Sequence, residues 1–386
     1  MRRGRINQQR SGGNPPLSDI EVMISQKVLS KTEFIGIGLF HQRNAFFRCV
    51  CSEMITAMRI IFLLLILPIC FVYDVSAQCA RGDCVAGHGT FEYTTGDVYE
   101  GDFRGGMRHG EGVLRMPNGD EYDGEWKSDK MHGQGTYTYR NGDVLIGEFV
   151  KGKAQGYGTL TFRDGSKYEG TWDNDRRSGA GVFSSPNGTR VEGEWNGDYV
   201  TGKALYYYDN GDVYEGDYKN NRRHGYGKMV TRDGNTYEGQ WNNGRKHGQG
   251  RYVFISGTTY EGQWTNGKMT GDGVMVSAMG NRYEGTVYQG RYHGSGALTF
   301  VNGDQYIGEF MNGKMHGEGT YDYADGSSYT GQWISDNRQG EGVFHYADGS
   351  VYEGMFVSGK PHGKGTLTYS DGRQVAGNFQ YGRPVE

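Results

Sequence analysis

The sequence predicts an all-β protein, a single elongated, twisted antiparallel sheet stacked like a solenoid from 23-residue β-hairpin repeats, with a short apolar helical segment near its N-terminus. Three observations carry this. From Tyr99 onward the chain repeats every 23 residues without insertion or deletion, the mark of a stacked array and not of separate domains. Inside each period, rings and glycines alternate with polar residues two apart, the spacing of a strand with one apolar face. Of 386 residues, 67 are Gly, 29 Tyr and only 7 Pro; that excludes collagen, which needs Gly at every third position and abundant Pro, and an aromatic content of 13% excludes a disordered linker.

Residues 1–57 show no sustained period and read as a disordered or over-extended N-terminus. Residues 58–77 begin with Met58-Arg59, run from Ile60 to Tyr73 without a charge and end in Val75-Ser76-Ala77. A basic start, an apolar stretch too short for a bilayer, which needs about 20 residues, and small residues at the end read as a secretory signal peptide. Its position 57 residues into the chain suggests a true start at Met58 or Met54. The expected product is an exported chain, periplasmic, cell-surface or secreted, that begins near Gln78; a retained membrane anchor and a buried apolar segment are the alternatives. Residues 78–98 form an N-terminal cap with a Cys pair and a half repeat. Three of the five cysteines, Cys49, Cys51 and Cys70, lie in the leader. Cys79 and Cys84 are expected to close a small disulfide loop in an oxidising compartment, two free thiols being the other reading. Within that loop Arg81-Gly82-Asp83 spells an integrin tripeptide, a match too short to weigh.

Residues 99–374 hold twelve units that begin at Tyr99, Tyr122, Leu145, Tyr168, Val191, Tyr214, Tyr237, Tyr260, Tyr283, Tyr306, Tyr329 and Tyr352; residues 375–386 are a C-terminal half repeat. The first position is Tyr in ten units and the fifth is aromatic in eleven, with all six Trp of the chain there. Gly holds the third position throughout and the fourteenth in eleven units, on the face of the rings, where a bare backbone lets them lie close. The eighth position is always Gly, Asp or Asn, residues that tolerate a left-handed backbone. Gly at the twenty-first position follows Asn or Asp in ten units, the strongest short hairpin signal. Each unit therefore reads as strand, loop, strand and tight turn. Two strands at about 4.8 Å each give roughly 10 Å per unit and a stack on the order of 115 Å. A single sheet with one aromatic face must curl so that its rings pack on one another, or be covered by a partner, since each fully buried ring contributes roughly 1.5–3 kcal/mol. The expectation is mostly the former, with a residual groove for the latter.

These residues carry a resemblance. The pattern Tyr-Glu-Gly-x-Trp-x-x-Gly-x-x-His-Gly-x-Gly, close in Tyr237–Gly250, Tyr122–Gly135 and Tyr352–Gly365, resembles the MORN (membrane occupation and recognition nexus) repeat over about 300 residues. Leu145-Ile146, Val191, Ala204 and Val287 depart from it, which marks the third, fifth and ninth units as irregular or specialised. The resemblance implies stacked hairpins with a groove, and binding or scaffolding roles, often with self-association. The groove candidates are Tyr122, Trp126, Trp172, Trp195, Tyr237, Trp241, Tyr260, Trp264, Tyr329 and Trp333.

Chemistry is not expected. His109, His132, His224, His247, His293, His316 and His362 share the eleventh position but recur roughly 10 Å apart, too far to share a zinc whose ligands lie about 2.1 Å from it; each reads as a loop residue bonding the backbone. Glu100, Glu169, Glu192, Glu215, Glu238, Glu261, Glu284 and Glu353 form a polar ladder, solvated or paired with Lys and Arg. Four stretches resemble a phosphate loop, such as Gly262-x4-Gly267-Lys268, but place Ala154, Met269, Met315 or Pro361 where Ser or Thr must hold Mg²⁺. The sequence thus points to a non-enzyme with no catalytic or metal residues and no cofactor, whose partners are proteins or further copies of itself. The charge is −4, from 41 Lys and Arg against 45 Asp and Glu. It divides into +4 for residues 1–57, with eight basic and four acidic residues, and −8 for residues 87–386, with 31 and 39. An acidic body argues against nucleic acid and weighs against the alternative of a membrane-lipid module. The last alternative, a phosphatidylinositol phosphate kinase, would rest on the repeats alone; plant-type enzymes carry such repeats ahead of a kinase domain, for which this chain leaves no residues.

Overall fold

The computed structural model describes residues 77–385. The expected N-terminal region and the apolar segment lie outside them, apart from Ala77. Every regular element among the described residues is a β-strand, and no helix there is long and apolar enough to cross a membrane.

Two compact units result. The first, residues 77–140 with 150–152, begins with β1 (Gln78–Gly82) and β2 (His88–Glu92) and continues through β3 (Val98–Arg104), β4 (Met107–Arg115), β5 (Glu121–Lys127) and β6 (Lys130–Thr138). The second, residues 141–149 with 153–385, runs from β7 (Val144–Val150), all but its last residue, to β28 (Arg383–Val385). In each, strands pair antiparallel with their neighbours in the chain, as in β15 (Thr236–Asn242) with β16 (Arg245–Val253), and β16 with β17 (Thr259–Thr265). The fold is an antiparallel sheet of hairpins.

The hairpin that begins at Tyr237 shows why these residues form it. Asn242 pairs with Arg245, and the two residues between, Asn243 and Gly244, have φ of 48° and 80°. Two successive positive φ values make the mirror-image turn whose twist matches a hairpin. Asn, Asp, Ser or Gly fills these two positions in most units, as in Asn174-Asp175 and Ser335-Asp336. The tight turn thus lies at the seventh and eighth positions. This corrects the sequence reading, which placed it at Asn-Gly or Asp-Gly of positions twenty and twenty-one. That second link is wider: the Phe254 N–H donates to Thr258 O, and the Gly257 N–H to Phe254 O, at 2.8 and 2.9 Å. Asn-Gly serves both turn types because both need a left-handed residue; what separates them is the length of the flanking ladder.

The sheet is not a plain ladder. Gly239 pairs with Gly250, but Trp241 pairs with Lys246, so Gln240 stands opposite three residues, His247, Gly248 and Gln249. This bulge bends the strand. Gly248 takes φ +59° within it, which accounts for Gly at the twelfth position. The same shift recurs in other hairpins, including those at Tyr99, Tyr122, Tyr214, Tyr260, Tyr283, Tyr329 and Tyr352.

Candidate functional site

The aromatic face follows from the bulge. A bulged residue loses its ladder partners, and a buried carbonyl without one is costly. In all ten units that begin with Tyr, that hydroxyl donates to the carbonyl of the bulged fourth residue, at 2.7–3.1 Å; Tyr237 to Gln240 O, at 2.8 Å, is one case. To reach it the ring crosses Gly250, where an added Cβ would stand 2.5 Å from the hydroxyl. The Gln240 side chain accepts from the Gln249 N–H at 3.1 Å. Tyr at position one, Gly at fourteen and a polar residue at four are therefore one device. Burial raises these phenols, to about 12 for Tyr168, Tyr260, Tyr283 and Tyr329.

The fifth-position ring joins one hairpin to the next. Five indole N–H groups donate to the carbonyl of the preceding unit's fourteenth residue at 2.9–3.2 Å, among them Trp264 to Gly250 O; that of Trp172 finds no acceptor among the described residues. Tyr237 meets Trp241 and Trp264 edge-on, both with centroids 5.1 Å apart, a favourable quadrupole geometry.

All ten groove candidates lie inside this ladder. Tyr122, Trp126, Trp172, Trp195, Tyr237, Trp241, Tyr260, Trp264, Tyr329 and Trp333 are 0–7% exposed. They are the core, and a partner cannot reach their faces. A strand pattern shows which side a residue takes but not what lies over it. The cover comes from the sixteenth and eighteenth positions and from the tenth, where a cation lies over rings in five units. The Arg108, Arg177 and Arg223 guanidinium carbons sit 4.3–4.5 Å from the centroids of Trp126, Trp195 and Trp241, that of Arg338 4.8 Å from Phe344, and Lys246 Nζ 4.1 Å from Tyr252. Position ten varies in residue type along the chain, so no single residue marks it; Arg or Lys recurring two residues past a turn Gly, Asp or Asn is the signal it leaves in the sequence. Burial, helped by the nearby Arg223 charge, lowers the Lys246 amine to about 8. Burial likewise pulls Arg177 down against the Asp198 carboxylate that holds it at 3.0 Å.

The structure joins Cys79 to Cys84. Arg81, Gly82 and Asp83 are exposed, but Asp83 Oδ1 accepts from the N–H groups of Val85 and Ala86, which hold its carboxyl below the usual range; the carboxylate caps its own loop. The eleventh-position histidines lie in strands and not in loops, and Nδ1 of His224, His293, His316 and His362 is buried without a hydrogen-bond partner. Among the described residues no group of three His, Cys, Asp or Glu is placed to hold a metal ion. The ladder glutamates are partly paired, as Glu169 with Lys167 and Glu284 with Arg282. The phosphate-loop lookalikes are hairpin turns; Gly267 is left-handed at φ +84° and Lys268 opens a strand. On the polar face a concavity of about 540 Å³ is lined by Glu192, Lys203, Leu205, Glu215, Lys228 and Glu238, with the Tyr226 hydroxyl donating to Glu238 at 3.2 Å.

This geometry defines a β-hairpin repeat protein with an aromatic spine. Its twelve units, at residues 99–372, match the model of the MORN repeat, and the chain belongs to that family. No curated protein matches it. Among solved structures it is similar to the TCP domain of SAS-4 (dCPAP) of Drosophila melanogaster, in complex with a Proline Rich Motif of Ana2, at 12% identity over 52% of this chain and 90% of that one, TM-score 0.24. It is also similar to the TCP10 domain of Danio rerio CPAP, at 13% over 69% and 99%, TM-score 0.18, and to virginiamycin B lyase of Staphylococcus aureus, at 11% over 73% and 99%, TM-score 0.14. None of these superpositions is close enough to bear on this chain's fold or function.

Proposed function

We propose that this MORN-repeat chain is an exported, non-enzymatic scaffold that binds protein partners, further copies of itself included, on its ring-bearing face. The observation that supports this is the second layer of that face. Phe254, Phe300, Tyr321, Tyr323 and Phe344 are only half-buried, and Tyr346 is 37% exposed, although the ladder beneath is sealed. Half-covered rings are what protein interfaces use as anchors, and Tyr321, Tyr323 and Tyr346 add a polar tip. The Cys79–Cys84 bond supports export, since such bonds persist in oxidising compartments, and the −8 body disfavours anionic lipid. The test is quantitative capture from the native compartment, comparing the natural protein with a Tyr323→Ser, Tyr346→Ser double variant. The expected outcome is a partner set lost on substitution. Unchanged capture, or salt-sensitive sedimentation with anionic vesicles in its place, overturns the reading, and saturable ATP binding overturns its non-enzymatic part.

A further inference from the structure

The eighteenth position carries a ring in four consecutive units of the second compact unit: Phe300, Tyr323, Tyr346 and Tyr369. Phe300, Tyr323 and Tyr346 are linked through the sixteenth-position rings between them, while Leu367 holds that position before Tyr369. Centroids are 5.8 Å apart from Phe300 to Tyr321, 4.3 Å from Tyr321 to Tyr323, 6.0 Å from Tyr323 to Phe344 and 4.5 Å from Phe344 to Tyr346. The result is a row of half-covered rings that crosses the strands.

Two features restrict what this row can take. The backbone of each eighteenth residue is already engaged: Phe300, Tyr323, Tyr346 and Tyr369 each donate their N–H to the carbonyl four residues on and accept at their own carbonyl from the Gly N–H three residues on. No ladder remains for an added strand, so a ligand must bind through side chains and ring faces. The second feature is spacing. Two strands per unit place successive rings of the row about 9.6 Å apart. A polyproline II helix advances about 9.3 Å per three-residue turn and needs no backbone partner. An extended strand presents the same side about every 6.7 Å, and an α-helix every 5.4 Å. Only the first stays in phase over four units.

Charge adds a third. Arg108 and Arg177 lie over rings and are also held by a carboxylate from the eighth position of the next unit, Asp129 and Asp198. Arg338 lies over Tyr329, Phe344 and Phe356, but the eighth position after it is Gly359, and among the described residues no carboxylate pairs with it. Its charge acts on both the Tyr323 and the Tyr346 hydroxyls, against the opposing carboxylates of Asp304 and Asp325 at the first and of Asp348 at the second, which puts it beside the row as a local cation among acidic turns.

We propose that Phe300, Tyr323, Tyr346 and Tyr369 form a docking track for a proline-rich, polyproline II segment of a partner protein, an acidic side chain of which answers Arg338. Every third residue of the segment rests between two rings of the row. This rests on the reading of the ring face as a binding surface and names its ligand class.

The test uses the full chain and fluorescence anisotropy with three labelled 12-residue peptides: a proline-rich repeat with Asp at every third residue, the same with Lys for Asp, and an acidic alanine-rich helix former. The acidic proline-rich peptide is expected to bind saturably and the other two at least tenfold more weakly. Tyr323→Ala with Tyr346→Ala weakens it at least tenfold; Arg338→Gln removes the preference for Asp over Lys. Circular dichroism verifies the fold, and Tyr346→Ala alone, at the most exposed ring, serves if the double variant unfolds. Absence of saturable binding by the acidic proline-rich peptide, or binding indifferent to these rings, overturns the proposal. Ring-dependent binding of the helical peptide overturns it too but leaves the wider scaffold reading standing, which fails only if partner capture ignores the rings.

Discussion

At Gly250 one hydrogen atom is all the space allows. A methyl there would meet the Tyr237 hydroxyl at 2.5 Å and its ring at 2.6 Å, so Gly250→Ala should cost about 2–3 kcal/mol through overpacking, read as a drop in thermal midpoint. The chain holds its own control. In the fifth unit Val191 replaces the Tyr, and there the fourteenth position is Ala204, buried against Gly193. Without the ring the methyl fits, and Tyr237→Val should recover part of the Gly250→Ala loss, a coupling that a double-mutant cycle measures. Tyr237→Phe keeps the ring but abandons the Gln240 carbonyl, at a cost of about 1 kcal/mol. Lys246 is the opposite case, an ammonium held by rings where three other units have Met. Its amine falls from 10.5 to about 8 on folding. Below pH 8 both states hold the proton and the burial penalty stands in full; between 8 and 10.5 the unfolded state binds more protons, so stability rises with pH there. Lys246→Met should therefore be more stable than the natural protein by about 1 kcal/mol at pH 7, and the advantage should shrink by pH 9 in parallel thermal unfolding.

Within the hairpin, departures from the pattern are compensated across the ladder. In the ninth unit the fifth position is Val287, and its cross-strand partner at the tenth is Tyr292. The Tyr292 ring stacks on Tyr283 at 3.9 Å and meets Phe310 at 5.7 Å, so the aromatic volume has moved one strand over. The third, fifth and ninth units, expected to be irregular, keep strands of the common length. Val287→Phe should cost about 1–3 kcal/mol by overfilling this site, and adding Tyr292→Met should restore most of it; the two thermal midpoints decide. The strands, their faces and the Tyr–Gly pairing were legible in the sequence because period-two alternation survives in every copy. The bulge was not: it shifts pairing without shifting the 23-residue count, and shows only as Gly248, which looks like one more turn glycine.

Over the whole chain, nearest-neighbour contacts make stability a sum of local terms, which suggests two outcomes. Reduction of Cys79–Cys84 should raise hydrogen exchange in residues 78–92 and leave the later hairpins protected. The buried first-position tyrosines act together. Their phenols lie above the ordinary 10, to about 12 at four of them, so the stability they add is complete below pH 10 and is lost as pH climbs through the folded values. The thermal midpoint should fall steeply between pH 10 and 12, with Tyr-to-Phe variants less affected.

The candidate site was half legible. Its side of the sheet followed from alternation, but the ten residues chosen on it were the deepest. Their burial depends on the Arg, Lys and Met side chains across the turn and on rings two strands away, which no count along the chain reveals. The sequence by itself determined the repeat, the hairpin strands and the family, because each is a property of one 23-residue period. Only the tertiary structure decided which turn is tight, which rings are sealed and which stand half-open beside Arg338. Those depend on how one hairpin lies on the next, where side chains far apart in the chain compete for the same volume.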